Sequence, residues 1–184
     1  FIEKKKIENF TLVGNSMGGA ISLRYSYLYP GKLNNLILIT SASNSCISVE
    51  SEYSKLVSKG LNPLITNNLE DYEKLLDFVM YERSYIPSPI LEVLSGKKME
   101  RKILDEKIFS DFVSNMTQEE DILNKITTKT LIVWGEYDRI IDLKCANILE
   151  KNIINSKKIV FKNVGHVPQM EVPEELGEVI SSFL

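Results

Sequence analysis

The sequence lacks the long apolar runs and the charge imbalance that would indicate a membrane-spanning or a nucleic-acid-binding chain. No run approaches the roughly 20 apolar residues that cross a bilayer, so membrane association is not indicated. Lysine and arginine number 22 against 25 aspartates and glutamates, a net charge of −3. Because phosphate binding requires a concentrated basic face, we predict no nucleic-acid partner. The length suits one domain with a sizeable core.

Cysteine and histidine are scarce, which restricts the chemistry available to the chain. The two cysteines, Cys46 and Cys145, are far apart and lack the spacing of metal ligands. We therefore predict two free thiols and a reducing, cytoplasmic location. The only histidine is His166, so any mechanism that needs an imidazole must use that residue.

A short glycine-rich motif is the most informative stretch of the sequence. Residues 14–19 read Gly-Asn-Ser-Met-Gly-Gly, after a strand-like apolar run and before apolar residues at helical spacing. This order predicts a nucleophile elbow, with Ser16 on a strained turn and the Met17 N–H facing a developing oxyanion. We attribute the tightness of the turn to Gly14 and Gly18, which have no Cβ. The alternative is an ordinary loop between a strand and a helix, because the pattern by itself is common.

Strand-like segments occur on both sides of a long helical stretch. An apolar run at 35–40 completes a strand–helix–strand unit, and similar runs return at 129–135 and 158–161. No strand-like run occurs between residues 50 and 126, where prolines separate about four short helices. Ordinary crossover helices are the alternative, but a crossover needs only about a dozen residues. The predicted organisation is a core at 1–45, a helical cap at 46–127 and core again at 128–184.

Two polar loops follow strands in the last third of the chain. Asp138 comes directly after the strand at 129–135, and His166 comes after the next strand. Because the carboxyl ends of parallel strands meet at one edge of a sheet, both should lie near Ser16. An imidazole can take a serine proton while a carboxylate fixes the imidazole tautomer. Taken singly, a loop aspartate is more often a helix cap and a loop histidine more often structural. Asp142 is placed to cap the helix that follows.

These motifs together resemble the α/β-hydrolase fold superfamily. The resemblance rests on residues 14–19, on Trp-Gly-Glu-Tyr-Asp-Arg at 134–139 and on Gly-His-Val-Pro-Gln-Met-Glu at 165–171. It implies an α/β fold with a mostly parallel sheet flanked by helices, an inserted helical cap, and no metal or organic cofactor. It also implies four catalytic roles: nucleophile for Ser16, acid for Asp138, base for His166 and one oxyanion N–H for Met17.

Two departures from the family pattern are visible. Ile140-Ile141 stands where family members usually have a proline after the acid motif. Residues 1–9 read as the end of a helix, so the family's opening strands and their oxyanion loop have no counterpart in these residues. We therefore expect the amino-terminal strands to be absent, and the 184 residues alone to be poorly soluble and nearly inactive.

The branch that the motifs resemble holds carboxylesterases, monoacylglycerol lipase-like enzymes and meta-cleavage-product C–C hydrolases. We predict hydrolysis of a small or medium carboxylic ester through an acyl-enzyme on Ser16. Apolar residues of the cap favour a substrate with an apolar acyl or aromatic group, although the same residues must also pack the cap onto the core. The alternatives are a C–C hydrolase and a hydrolase-fold ligand receptor with little turnover. The sequence indicates no oligomeric state.

Overall fold

The computed structural model describes residues 2, 4–116 and 122–184, and its sheet has four strands. All neighbouring strands are parallel and lie side by side in chain order. They are β1 (Phe10–Asn15), β2 (Leu33–Ile39), β3 (Lys129–Gly135) and β4 (Ser156–Phe161). The predicted parallel sheet with flanking helices is confirmed.

Eight α-helices accompany the sheet within the described residues. They are α1 (Met17–Leu28), α2 (Glu52–Val57), α3 (Leu69–Val79), α4 (Ser88–Glu100), α5 (Lys102–Met116), α6 (Lys144–Asn152), α7 (Pro168–Glu171) and α8 (Pro173–Phe183). Helices α2 to α5, with short 3-10 turns before and after them, all lie between β2 and β3. We call the described residues from 44 to 125 the helical insertion. Among the helices described, none is both long and apolar enough to cross a bilayer.

The central strands are buried on both faces because successive side chains point to opposite sides of the sheet. Leu36 and Trp134 belong to a buried cluster with residues of α1 and α6 on one face. Ile37 and Val133 belong to a second cluster that contains Leu176 of α8 on the other face. This double burial explains why the strands read as near-continuous apolar runs.

The helical insertion has a small core of its own. Leu76, Met80 and Leu91 form a buried cluster between α3 and α4. Val167, in the loop that follows β4, packs against the same cluster. The insertion is therefore anchored to a loop at the carboxyl end of the sheet.

The two cysteines form a disulfide, so the prediction of free thiols is wrong. Cys46 lies in the 3-10 turn after β2, and Cys145 lies in α6. Their Cα atoms are 5.5 Å apart although 99 positions separate them in the chain. A disulfide is typical of an oxidising compartment, so the cysteines give no support to a cytoplasmic location.

The first residues also differ from their prediction as the end of a helix. Residues 4–6 form turns, and Lys6 and Asn9 have positive φ angles of 52° and 54°. These left-handed conformations interrupt a regular helix. The predicted helix end is therefore wrong for the described residues of this segment.

Candidate active site

Ser16 occupies a sharp turn between β1 and α1. Its φ of 54° and ψ of −120° are unfavourable for a residue with a side chain, and such strain is often stored at functional sites. Backbone hydrogen bonds hold the turn in place. The Ser16 N–H donates to Ile39 O at 3.0 Å, and the Ser16 carbonyl accepts from Gly19 at 2.9 Å and from Ala42 at 3.0 Å. The turn is therefore fixed to the end of β2.

Two glycines allow α1 to lie close to the sheet at this turn. A Cβ on Gly14 would overlap the Gly18 carbonyl and the Ser22 hydroxyl, and a Cβ on Gly19 would overlap the Ser41 side chain. A Cβ on Gly18 would meet no described atom within 4 Å. The close approach thus requires Gly14 and Gly19, and the attribution to Gly18 is wrong.

Asp138 and His166 are in direct contact, although 28 positions separate them. His166 Nδ1 lies 2.8 Å from Asp138 Oδ2, and both residues are buried. The other carboxylate oxygen, Oδ1, accepts the N–H groups of Ile140 at 2.8 Å and Ile141 at 3.0 Å. Because an ionised carboxylate can only accept hydrogen bonds, the contact places a proton on Nδ1. In the neutral ring, Nε2 then keeps its lone pair.

The main chain of His166 is held from outside its own loop. Its N–H donates to Val79 O in the helical insertion at 2.7 Å. Its carbonyl accepts from the Thr40 hydroxyl at 3.0 Å, and that hydroxyl in turn accepts from Asn15 Nδ2 at 2.8 Å. Asn15 immediately precedes Ser16. A chain of two hydrogen bonds therefore links the Ser16 turn to the histidine loop.

Ser16 lies at the same edge of the sheet as the Asp138–His166 pair, because β1, β3 and β4 are parallel and each loop follows a carboxyl end. The hydrogen bonds of the described residues do not include one between the Ser16 hydroxyl and the His166 ring. In unliganded enzymes such bonds are often long and tighten only with substrate. Met17 is the first residue of α1, so its N–H has no acceptor within the helix.

Three further residues near the site have contacts that distinguish their roles. Asp142 Oδ1 accepts the N–H of Lys144, the first residue of α6, at 2.9 Å, so its carboxylate is engaged at the start of that helix, although Leu143 is the N-cap residue. Thr40 and Glu171 make contacts near His166 that the sequence did not predict. In the sequence, only their positions could have indicated these contacts: Thr40 directly follows the strand-like run of β2, and Glu171 ends the histidine motif.

A cavity of about 320 Å³ lies beside α1 and the helical insertion. Ala20, Ile21 and Arg24 of α1 line one side, and Phe112 and Asn115 of α5 line another. Neither Ser16, Asp138 nor His166 lines it. The cavity therefore gives no direct support to a substrate site at these three side chains.

The sequence and the fold are both similar to those of known hydrolases. Lipase 1 of Psychrobacter immobilis is 34% identical over 176 residues, which are 95% of this chain and 55% of that protein. Monoacylglycerol lipase ABHD6 of Rattus norvegicus is 29% identical over 194 aligned positions, which cover 100% of this chain and 58% of that protein. The chain thus spans about half the length of the curated relatives it matches.

A solved structure and a family profile show the same similarity. The crystal structure of a membrane phospholipase A, described as a bacterial virulence factor, superposes with a TM-score of 0.92 at 29% identity. It covers 100% of this chain and 59% of that one. The profile of the family described as serine aminopeptidase, S33, matches residues 1–172. With this match and a parallel sheet flanked by helices, the chain belongs to the S33 serine aminopeptidase family of α/β-hydrolases.

Proposed function

We propose that this chain carries the catalytic residues of a serine hydrolase that cleaves carboxylic esters through an acyl-enzyme on Ser16. The observation that supports this most directly is the buried 2.8 Å contact between His166 Nδ1 and Asp138 Oδ2. With Nδ1 bonded to the aspartate, Nε2 is the atom available to take a proton. The lipases among the relatives support a carboxylic ester as the substrate class.

In the first half of the proposed reaction, Ser16 Oγ attacks the ester carbonyl carbon while His166 Nε2 takes the hydroxyl proton. The carbonyl oxygen becomes an oxyanion, which the Met17 N–H at the start of α1 stabilises. Asp138 stabilises the imidazolium through Nδ1. When the tetrahedral intermediate collapses, the C–O bond to the alcohol breaks and Nε2 returns its proton to the leaving oxygen.

In the second half, water repeats these steps on the acyl-enzyme. His166 Nε2 takes a proton from the water as the water oxygen attacks the acyl carbon. The bond to Ser16 Oγ then breaks, the acid is released and Oγ regains a proton. The three side chains are thus restored.

We propose that most of the helical insertion belongs to a cap at residues 46–127, and that this cap covers the substrate site. The hydrogen bond from the His166 N–H to Val79 O and the packing of Val167 on the insertion cluster support this placement. An apolar acyl or aromatic group would then contact the insertion. The lipase relatives support an apolar acyl chain over a polar one.

The compartment proposed here follows from the disulfide and replaces the inference from two free thiols. A bond between Cys46 and Cys145 favours an oxidising compartment over the cytoplasm. We therefore propose that the protein works outside the reducing cytoplasm, in place of the cytoplasmic location predicted from the sequence.

We propose that the segment 1–184, expressed alone, is poorly soluble. Within the described residues β1 pairs only with β2, so its other edge has no partner strand, and Val13 of β1 is exposed. An unpaired strand edge of this kind promotes aggregation.

The test is to replace the nucleophile in the full-length protein. Ser16→Ala should lower hydrolysis of p-nitrophenyl esters by several orders of magnitude, because loss of a triad serine costs about 10⁶ in a well-dissected enzyme. A fluorophosphonate probe should label wild-type protein and not the variant. Ser182→Ala, which changes an exposed serine of α8, is the matched control. It should keep both ester hydrolysis and labelling by the probe. Labelling that survives Ser16→Ala would refute the assignment.

The same preparation separates the alternatives. A graded series of p-nitrophenyl esters reports ester hydrolysis, and a dienone acid of the meta-cleavage type reports C–C bond hydrolysis by the same three side chains. A receptor would show a large ligand-dependent rise in melting temperature with little turnover of either substrate.

A further inference from the structure

The carboxylate of Glu171 joins two parts of the chain that are far apart in sequence. The Gly165 N–H donates to Oε1 at 2.9 Å and to Oε2 at 3.0 Å, and the Tyr81 N–H donates to Oε2 at 2.7 Å. Gly165 immediately precedes His166, whereas Tyr81 follows α3 of the helical insertion. Hydrogen bonds to a carboxylate are stronger than those between neutral groups. One side chain therefore fastens the insertion to the histidine loop.

Close backbone packing accompanies this carboxylate bridge. The His166 N–H donates to Val79 O at 2.7 Å, two residues before Tyr81. A Cβ on Gly165 would lie only 2.5 Å from Val79 O and 2.8 Å from Tyr81 N. The segment 79–81 and the histidine loop are therefore in direct backbone contact, with no room for an added side chain.

We infer that Glu171 is a positioning residue that couples the helical insertion to the proposed catalytic base. This inference rests on the proposed role of His166 in ester hydrolysis. The carboxylate sets the distance between segment 79–81 and Gly165, and the Val79 carbonyl then fixes the main chain of His166. A displacement of the insertion is transmitted through these bonds to the imidazole. Catalysis is sensitive to such shifts, since a misplacement of about 1 Å can cost roughly 10²-fold in rate.

Glu171→Gln in the full-length protein is the sharpest test, because it keeps the side-chain shape. One carboxylate oxygen becomes an NH₂ donor that faces backbone N–H groups, so one of the two acceptors is lost. Glu178→Gln, an exposed position in the middle of α8, is the matched control. The measurements are kcat and KM with p-nitrophenyl butyrate and hydrogen–deuterium exchange of the amides of residues 81 and 165.

We expect Glu171→Gln to accelerate exchange at both amides together and to lower kcat by about 10- to 100-fold with little change in KM. Glu178→Gln should change neither. Gly165→Ala, which pushes the same segments apart while keeping the Glu171 side chain, should reproduce the fall in kcat. If Glu171→Gln does not fold, the kcat of Gly165→Ala still shows whether the contact between segment 79–81 and the histidine loop controls catalysis.

An unchanged kcat per folded molecule in both Glu171→Gln and Gly165→Ala would overturn the inference. Faster exchange at residue 165 without a change at residue 81 would also overturn it, because the two segments would then be uncoupled. Absence of ester turnover in the wild-type protein would refute the proposed function instead. In that event the exchange experiment still decides whether Glu171 couples the two segments.

Discussion

The hydroxyl of Thr40 donates a hydrogen bond to the main-chain oxygen of His166 at 3.0 Å. Thr40 immediately follows β2, is buried and has a φ of 44°, which is rare for a β-branched residue. The same hydroxyl accepts from Asn15 beside the proposed nucleophile. Backbone strain at a buried residue that connects two loops of a site is typical of a functional constraint.

Removing this hydroxyl should loosen the histidine loop. Thr40→Val keeps the shape and the β-branching but leaves the His166 carbonyl and the Asn15 amide short of a partner, at a cost of about 1–3 kcal/mol in the free energy of unfolding. We expect kcat for ester hydrolysis to fall as well. Thr40→Ser, which retains the hydroxyl, should lower the free energy of unfolding and kcat less than Thr40→Val does. Equal denaturant midpoints and equal kcat values for the two variants would show that the hydroxyl has no positioning role.

The acid should be Asp138 and not Asp142. Asp138→Asn preserves the geometry but offers His166 Nδ1 an amide, which favours the wrong tautomer and lowers turnover by about 10⁴ by analogy with serine proteases. Asp142→Asn should change turnover little, because that carboxylate accepts from Lys144 at the start of α6. Steady-state kinetics of the two variants decide the matter. The reverse order of effects would make Asp142 the acid.

The sequence was sufficient to predict those parts of the structure that a short segment determines. Strands β2 and β3 are buried on both faces, so they read as apolar runs, and the rule that parallel strands end at one edge was enough to bring Asp138 and His166 together. Ser16 likewise follows from the strand, turn and helix around it. These predictions depend only on short motifs and on the general rule for the ends of parallel strands.

Predictions failed for residues whose structural role depends on a contact with a residue far away in the sequence. Cys46 and Cys145 are 99 positions apart, and nothing near either one indicates the other. Gly19, not Gly18, needs to lack a Cβ because its neighbour Ser41 comes from the loop after β2. The bond between Glu171 and Tyr81 spans 90 positions and has no sequence signature at all.

The disulfide should contribute measurably to stability because it closes a loop that contains helices α2 to α5. Replacing Cys46 and Cys145 together by alanine should lower the free energy of unfolding by about 2–4 kcal/mol. A reducing agent should lower the melting temperature of the wild type and leave that of the double variant unchanged. Two titratable thiols in native, unreduced protein would contradict the pairing.

The two adjacent glycines of the Ser16 turn offer a comparison in which the same change has different consequences. A Cβ on Gly19 would overlap the Ser41 side chain and would also lie within contact range of the Ser41 Cα. The start of α1 must therefore move away from the loop after β2. A Cβ on Gly18 would meet open space among the described atoms. Alanine also favours helix over glycine by about 1 kcal/mol. Gly18→Ala should therefore be neutral or stabilising.

Gly19→Ala should be destabilising by about 1–3 kcal/mol, the usual cost of overpacking a tight contact. It should also slow labelling of Ser16 by a fluorophosphonate, because the Ser16 carbonyl accepts hydrogen bonds from both Gly19 and Ala42 and moves with α1. Thermal unfolding and labelling rates of the two single variants test both effects. If Gly18→Ala proved the more damaging change in both measurements, the close contact would lie on the other side of the turn, and the packing described for Gly19 would be wrong.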